Sequence, residues 1–183
     1  MHVGTASQSE IRVTLETTFE LANDLRNDTL DARRTLTKAG FTRSNQASAA
    51  SLTRLTARLE ALLPLLEELH RLDPTTASAL VNEELTELPI SPSIVEHDGG
   101  PAHIHWTPET GKFDDQVITD ILMALAKELC DHGTERFGRC EASDCEALFY
   151  DGTRNRSRRF CADPRCASRT HTAEHRARKA AAT

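Results

Sequence analysis

Apolar positions recur along the first third of the chain at helical intervals. Ile11, Val13, Leu15, Phe19, Leu21, Leu25, Leu30 and Leu36 mark residues 11–39 as loosely helical, and Gly40 reads as the stop. A sharper stripe follows over 46–72, carried by Leu52, Leu55, Leu59, Leu62, Leu63, Leu66 and Leu69. Pro64 interrupts it and predicts either a kink or the start of a second helix. Asp73-Pro74 ends the run, and Thr75 or Thr76 is expected to cap a short helix reaching Leu85.

The period then changes. In "SIVEHDGGPAHIHWT" the turn Asp98-Gly99-Gly100 separates two alternating segments, with Ala102, Ile104 and Trp106 on one face and His103 and His105 on the other. That pattern predicts a β-hairpin. A further helix is expected from about Asp114 to Cys130, its stripe formed by Val117, Ile118, Ile121, Leu122, Leu125 and Leu129, with Gly133 as its stop. A boundary near Gly133–Gly138 divides the chain into a body, 1–135, and a short C-terminal unit, 136–183. The expected class is mainly α with some β (α+β): a helical domain bearing one hairpin, then a small treble-clef-like or ribbon-like finger.

Composition changes this picture in one respect. Hydrophobic content is 38% and aromatic content 4%, enough aliphatic residues for a helical core but not for an aromatic-rich sandwich. The formal net charge of −6 argues against a polyanionic partner, but the charge is unevenly spread. From Gly152 to Thr183 there are nine basic and two acidic side chains, a net of +7, so residues 1–151 carry −13. A basic end on an acidic body points to an anionic partner for that end alone. The first residues lack a basic start followed by an apolar stretch, and no apolar run is long enough to span a bilayer. The expectation is a cytoplasmic chain with reduced thiols and no membrane partner.

Four of the five cysteines form two matched pairs, Cys140-x4-Cys145 and Cys161-x4-Cys166, with fifteen residues between the pairs. Two close pairs at this separation have the spacing of a structural zinc site. "EALFYD" and "RRFC" are strand-like, with "GTRNRS" as the turn between them. Leu148, Phe149 and Phe160 are too few apolar residues to hold such a unit together, so bound zinc would supply much of its folding free energy. An iron–sulfur cluster and disulfides are the competing readings. The first usually places three cysteines close together, and the second conflicts with a reducing compartment. Cys130 is expected to be a small buried residue. His171 and His175 read as polar helix positions, since four thiolates already suffice.

Residues 136–179, "RFGRCEASDCEALFYDGTRNRSRRFCADPRCASRTHTAEHRARK", resemble the CGNR zinc-finger family. The resemblance rests on Cys140, Cys145, Phe149, Asp151, Thr153, Arg154, Asn155, Arg159, Phe160, Cys161 and Cys166. The signature itself departs from the family: Ala167 and Ser168 stand where glycine and asparagine are expected, before Arg169. In the first 135 residues, "FELANDLRND", "LVNEEL" and "HIHW" are similar to the ABATE domain that precedes this finger in stress-induced transcription regulators. The resemblance implies a sensing or dimerising N-terminal half, hence a small-molecule effector or a homodimer. Asn23, Asp24, Arg26, His103 and His105 are candidates to line a ligand pocket there, though a polar helix face accounts better for the first three.

The functional expectation is a DNA-binding transcription regulator. Arg154, Arg156, Arg158 and Arg159 fall at the finger's loop. Arg169, Arg176, Arg178 and Lys179 fall on a C-terminal helix expected to begin at Cys166, and Arg169 and Arg176, seven apart, share a face. Arginine forks match phosphates and guanine edges. A zinc-stapled protein-interaction module and an RNA-binding protein are the alternatives. No enzyme is expected: there is no nucleophile elbow, no phosphate loop and no open metal position.

Overall fold

The computed structural model describes residues 8–41, 43–96, 103–108 and 110–181. Six α-helices carry the architecture: α1 (Gln8–Arg26), α2 (Ala32–Lys38), α3 (Ala49–Glu68), α4 (Pro74–Thr86), α5 (Phe113–His132) and α6 (Pro164–Ala181). Two small antiparallel pairs complete it, β1 (Ser93–Val95) with β2 (His103–His105), and β3 (Phe137–Arg139) with β4 (Leu148–Tyr150). The class is mainly α with some β, as expected.

α5 is the central element, packed against α1, α3 and α4. Its Val117, Ile118, Ile121, Leu122 and Leu125 are buried, and they meet Leu55, Leu59, Leu62 and Leu66 of α3 and Leu15, Phe19 and Ala22 of α1 in one continuous core. Each fully buried aliphatic side chain contributes about 1.5–3 kcal/mol. That packing explains why α3 runs through Pro64 instead of ending or restarting there. The ring removes one backbone hydrogen bond, at a cost of about 3 kcal/mol, while the leucines on either side hold the helix against α5.

The stretch 11–39 is two helices. α1 closes in a Schellman turn in which Thr29 N–H donates to the Asp24 carbonyl (2.9 Å) and Asp28 N–H to that of Leu25 (3.3 Å), with Asp28 left-handed at φ 55°. The same motif ends α2, where Phe41 donates to Leu36 and Gly40, at φ 83°, to Thr37. α4 begins one turn earlier than its threonines suggest. Asp73 is the cap, accepting from Thr75 N–H (3.0 Å) and Thr76 N–H (3.1 Å), with Pro74 in the first helical turn.

The expected hairpin over 93–106 is present as β1 and β2, in the register Ser93–His105, Ile94–Ile104, Val95–His103. Its turn, Asp98-Gly99-Gly100, and Ala102 lie outside the described residues. α5 starts at Phe113 and ends at Gly133, at φ 63°. Cys130, expected to be buried, is exposed on the side of α5 away from the leucine stripe. No helix among the described residues is long and apolar enough to cross a membrane.

Candidate metal centre

β3 and β4 carry the metal centre and tie it to the helical body. Phe137, Leu148 and Tyr150 belong to the main core, with the Phe137 ring 5.7 Å from that of Phe19 and 6.2 Å from that of Tyr150. Phe149 lies across Gly138 on the partner strand, where a Cβ would come within 2.5 Å of the ring. At the edge of β4, Asn23 of α1 behaves as a further strand residue. Its Nδ2 donates to the Leu148 carbonyl and its Oδ1 accepts from Leu148 N–H, both at 2.8 Å. Arg26, one turn on, donates to the Glu146 carbonyl and pairs with Glu67 at 2.9 Å. Buried Glu128 of α5 accepts from the Tyr150 hydroxyl at 2.9 Å. His132 Nδ1 and Arg136 Nε approach its other oxygen at 2.9 and 3.3 Å, off the hydrogen-bonding line. Burial, with the Glu128 charge behind it, pushes the Tyr150 phenol above its ordinary range.

Replacing Asn23 by alanine removes both bonds and leaves the Leu148 amide and carbonyl unpaired in a half-buried setting. A loss of about 2 kcal/mol is expected. It would be read from the urea midpoint, with faster amide exchange at Leu148 than in the parent.

The two cysteine pairs have the same local build. In each, the N–H of the second cysteine donates to the carbonyl two residues after the first: Cys145 to Ala142 (3.0 Å) and Cys166 to Asp163 (3.1 Å). The amide of that same residue, Ala142 or Asp163, donates to the first cysteine's sulfur. The first pair forms the turn between β3 and β4. The second bridges a loop and the first turn of α6, which starts at Pro164, two residues before the expected Cys166. The helix-borne last ligand is thus as expected, but the hairpin of "EALFYD" with "RRFC" is not. β4 pairs with β3, while residues 158–161 form no strand. One backbone bond, Glu141 N–H to the Arg159 carbonyl (3.0 Å), and side chains hold them: buried Asp151 accepts from Thr153 N–H, Thr153 Oγ1 and Arg158 N–H at 2.6–2.8 Å. Burial opposes the charge on Asp151, yet these donors hold its carboxyl below the usual range.

All four sulfurs lie within 4.8 Å of one another, with Cys145–Cys161 at 3.8 Å and Cys161–Cys166 at 3.7 Å. A tetrahedral zinc ion with Zn–S bonds of about 2.3 Å needs sulfurs about 3.8 Å apart, so the donor set fits a single ion. These separations are far beyond the ~2.05 Å of a disulfide. A cluster of several irons would hold the thiolates further apart than one ion does. Four thiolates close the coordination shell, which makes the centre structural. Around it Phe160 packs with Cys140, Ala142 and Cys166, and meets His171 edge-on at 5.6 Å. His171 and His175 are not among the ligands. Arg169 reaches Cys166 Sγ at 3.6 Å.

This geometry defines a four-cysteine zinc finger. Residues 136–179 match the sequence model of the CGNR zinc finger, which supports the same assignment over the same segment. No curated protein matches the chain. Ala167, where the family signature has glycine, sits inside α6 without a left-handed backbone, so alanine suits the position.

The basic residues divide into three groups. Arg158 is half-buried and structural: Nε donates to the Phe160 carbonyl (2.8 Å), Nη1 to that of Tyr150 (3.3 Å), and the guanidinium lies 5.1 Å from the centre of the Phe149 ring. Arg156 pairs with Glu135, Arg159 with Glu141 (2.7 Å), and Arg169 with Asp144 (2.9 Å). Arg154, Arg176 and Arg178 are exposed and make no ion pair or hydrogen bond among the described residues. Lys179, also exposed, closes the cluster.

The candidate pocket residues are not brought together. Asn23 and Arg26 are committed to the backbone of residues 146–148. His105 lies on the wall of a separate cavity, and His103 pairs with Val95 in the hairpin register.

Proposed function

We propose that the chain is a nucleic-acid-binding regulator whose partner is duplex DNA, read by α6. The carrying observation is α6 itself. It has eighteen residues, of which Cys166 alone is buried. A helix whose other residues are all exposed or half-buried gains little from its own chain and is suited to an external surface. It is anchored at one end by the zinc ligand, is about 27 Å long, and presents Arg176, Arg178 and Lys179 towards its free end. Arg154 adds a further cation from the finger loop. An arginine-bearing helix of this length fits a major groove. Single-stranded RNA is less well matched, because the finger's aromatic residues Phe149, Tyr150 and Phe160 are buried and offer no stacking platform.

Residues 1–135 are proposed as the regulatory half, of the ABATE type, in a cytoplasmic transcription regulator of stress response that is not an enzyme. A second reading, a protein-docking module, draws on the pairing of Arg156, Arg159 and Arg169 with the chain's own acids.

Anisotropy of a labelled 20-base-pair duplex, titrated with the zinc-loaded full chain at low and high salt, separates the two readings. Binding to DNA should weaken steeply with salt, with a log–log slope of about −0.9 per phosphate engaged. Absence of duplex binding at low salt would favour docking to protein.

A further inference from the structure

A cavity of about 510 Å3 lies in the helical body, remote from the metal centre. Its wall is formed by Ile11 and Val13 of α1, Phe41 after α2, Trp106 after β2, and Asp120 and Met123 of α5. The volume is that of a small-molecule site, and the wall is mostly apolar, as in such sites. Among the polar groups on this wall, Asp120 stands apart. It is half-buried and has no hydrogen bond or ion pair among the described residues. Burial pushes its carboxyl up to about 7. The other titratable or charged groups on this wall are Glu10 of α1, His105 of β2, and Lys127 and Cys130 of α5. Lys127 is engaged by Asp131, one turn along α5, so its charge is already matched.

A carboxylate set in an apolar wall loses hydration without gaining a partner. A cation entering the cavity would restore that loss, whereas an anion would meet repulsion and a neutral molecule would gain only apolar contact. We propose that this cavity binds a small organic amine, its nitrogen held by Asp120 and its apolar body lodged against Phe41, Trp106 and Met123. The site is independent of whether the finger meets DNA, and its test contains no nucleic acid.

Trp106 is the only tryptophan in the chain, so its fluorescence reports on this wall alone. The zinc-loaded full chain would be titrated with hexylamine, hexanol and hexanoate, three probes with the same apolar body and different head groups. Hexylamine should change Trp106 emission saturably and bind at least about tenfold tighter than hexanol, the size expected of one charge-assisted bond. Hexanoate should bind weakest. Asp120→Asn, close to isosteric, should abolish the preference for the amine while leaving hexanol affinity unchanged; Met123→Phe, which adds no second tryptophan, would narrow the cavity and weaken both. In the parent, amine affinity should fall as the pH drops below about 7 and Asp120 takes up a proton, a dependence that Asp120→Asn removes and that titration of His105 or Glu10 would retain. Hexanoate binding as tightly as hexylamine, an amine affinity within twofold of the parent's in Asp120→Asn, or no saturable response to any probe would each overturn the proposal.

Discussion

Serine at Cys161, or removal of zinc by a chelator, is expected to release residues 140–166 while helices α1 to α5 stay folded. The magnitudes decide this. Structural zinc supplies on the order of 10 kcal/mol to a small finger. The apolar cluster around the sulfurs has Phe160 as its one large side chain, worth about 1.5–3 kcal/mol. Without the metal that cluster cannot offset the ordering of the loop. Phe137, Leu148 and Tyr150 are held by the main core and should lose less. The expected observations are loss of bound zinc, fast amide exchange across 140–166 and α6, and slow exchange retained in α3 and α5. A metal-free chain that kept its protection at Cys145 and Cys166 would refute the finger's dependence on zinc. Acid should act in the same direction. In the absence of metal, burial and the neighbouring sulfurs push the Cys166 thiol up to about 12, so zinc must displace a proton that is bound at neutral pH. Affinity for zinc should therefore fall as pH falls.

Glutamine at Arg154, Arg176 and Arg178 together is expected to weaken duplex binding about 100-fold at physiological salt and to make the salt slope shallower by about 0.9 for every phosphate no longer engaged. Nothing in the described chain holds these three side chains, so zinc content and stability should be unaffected. Arg158→Gln should do the reverse. It removes the donors to the Phe160 and Tyr150 carbonyls and loosens the loop beside Cys161, so stability falls first and DNA affinity only as a consequence. Arg156, Arg159 and Arg169 are intermediate. Exposed pairs of this kind are worth about 0–1 kcal/mol, so phosphate can compete for their guanidinium groups. Unchanged duplex affinity in the triple variant would remove α6 and Arg154 from the interface.

The metal centre is the most legible part of the sequence, because ligand spacing is a local property. Each Cys-x4-Cys folds on its own turn, and fifteen intervening residues suffice to bring the turns together. Helix ends are legible where they depend on glycine. Gly40 and Gly133 announce theirs, whereas the equivalent turn at Asp28 does not, since aspartate occupies the left-handed region less often. Pro64 leaves two outcomes open, one helix or two, because the sequence shows the cost of the ring but not the leucine packing against α5 that keeps α3 in one piece. Strand pairing is obscured for a related reason. "RRFC" has strand-like composition, yet its backbone is held by the Asp151 and Arg158 side chains and a single bond from Glu141 N–H, while β3, hidden in the boundary segment, supplies the true partner of β4. Asn23 and Arg26 stand out along α1, but as candidates for a pocket. Their actual partners lie 125 and 120 residues away, beyond any local pattern. The same limit hides Asp120 and the exposure of Cys130, which depend on how α1, α5 and β2 come together.

The seam between α1 and β4 bears on protein engineering. Cut out at residue 136, the cysteine-rich segment would bring Phe137, Leu148 and Tyr150 bare into water and leave a strand edge without its asparagine clasp. Such a fragment would tend to self-associate even when fully charged with zinc. A chimera meant to borrow this finger must transplant α1 and the Glu128 end of α5 with it.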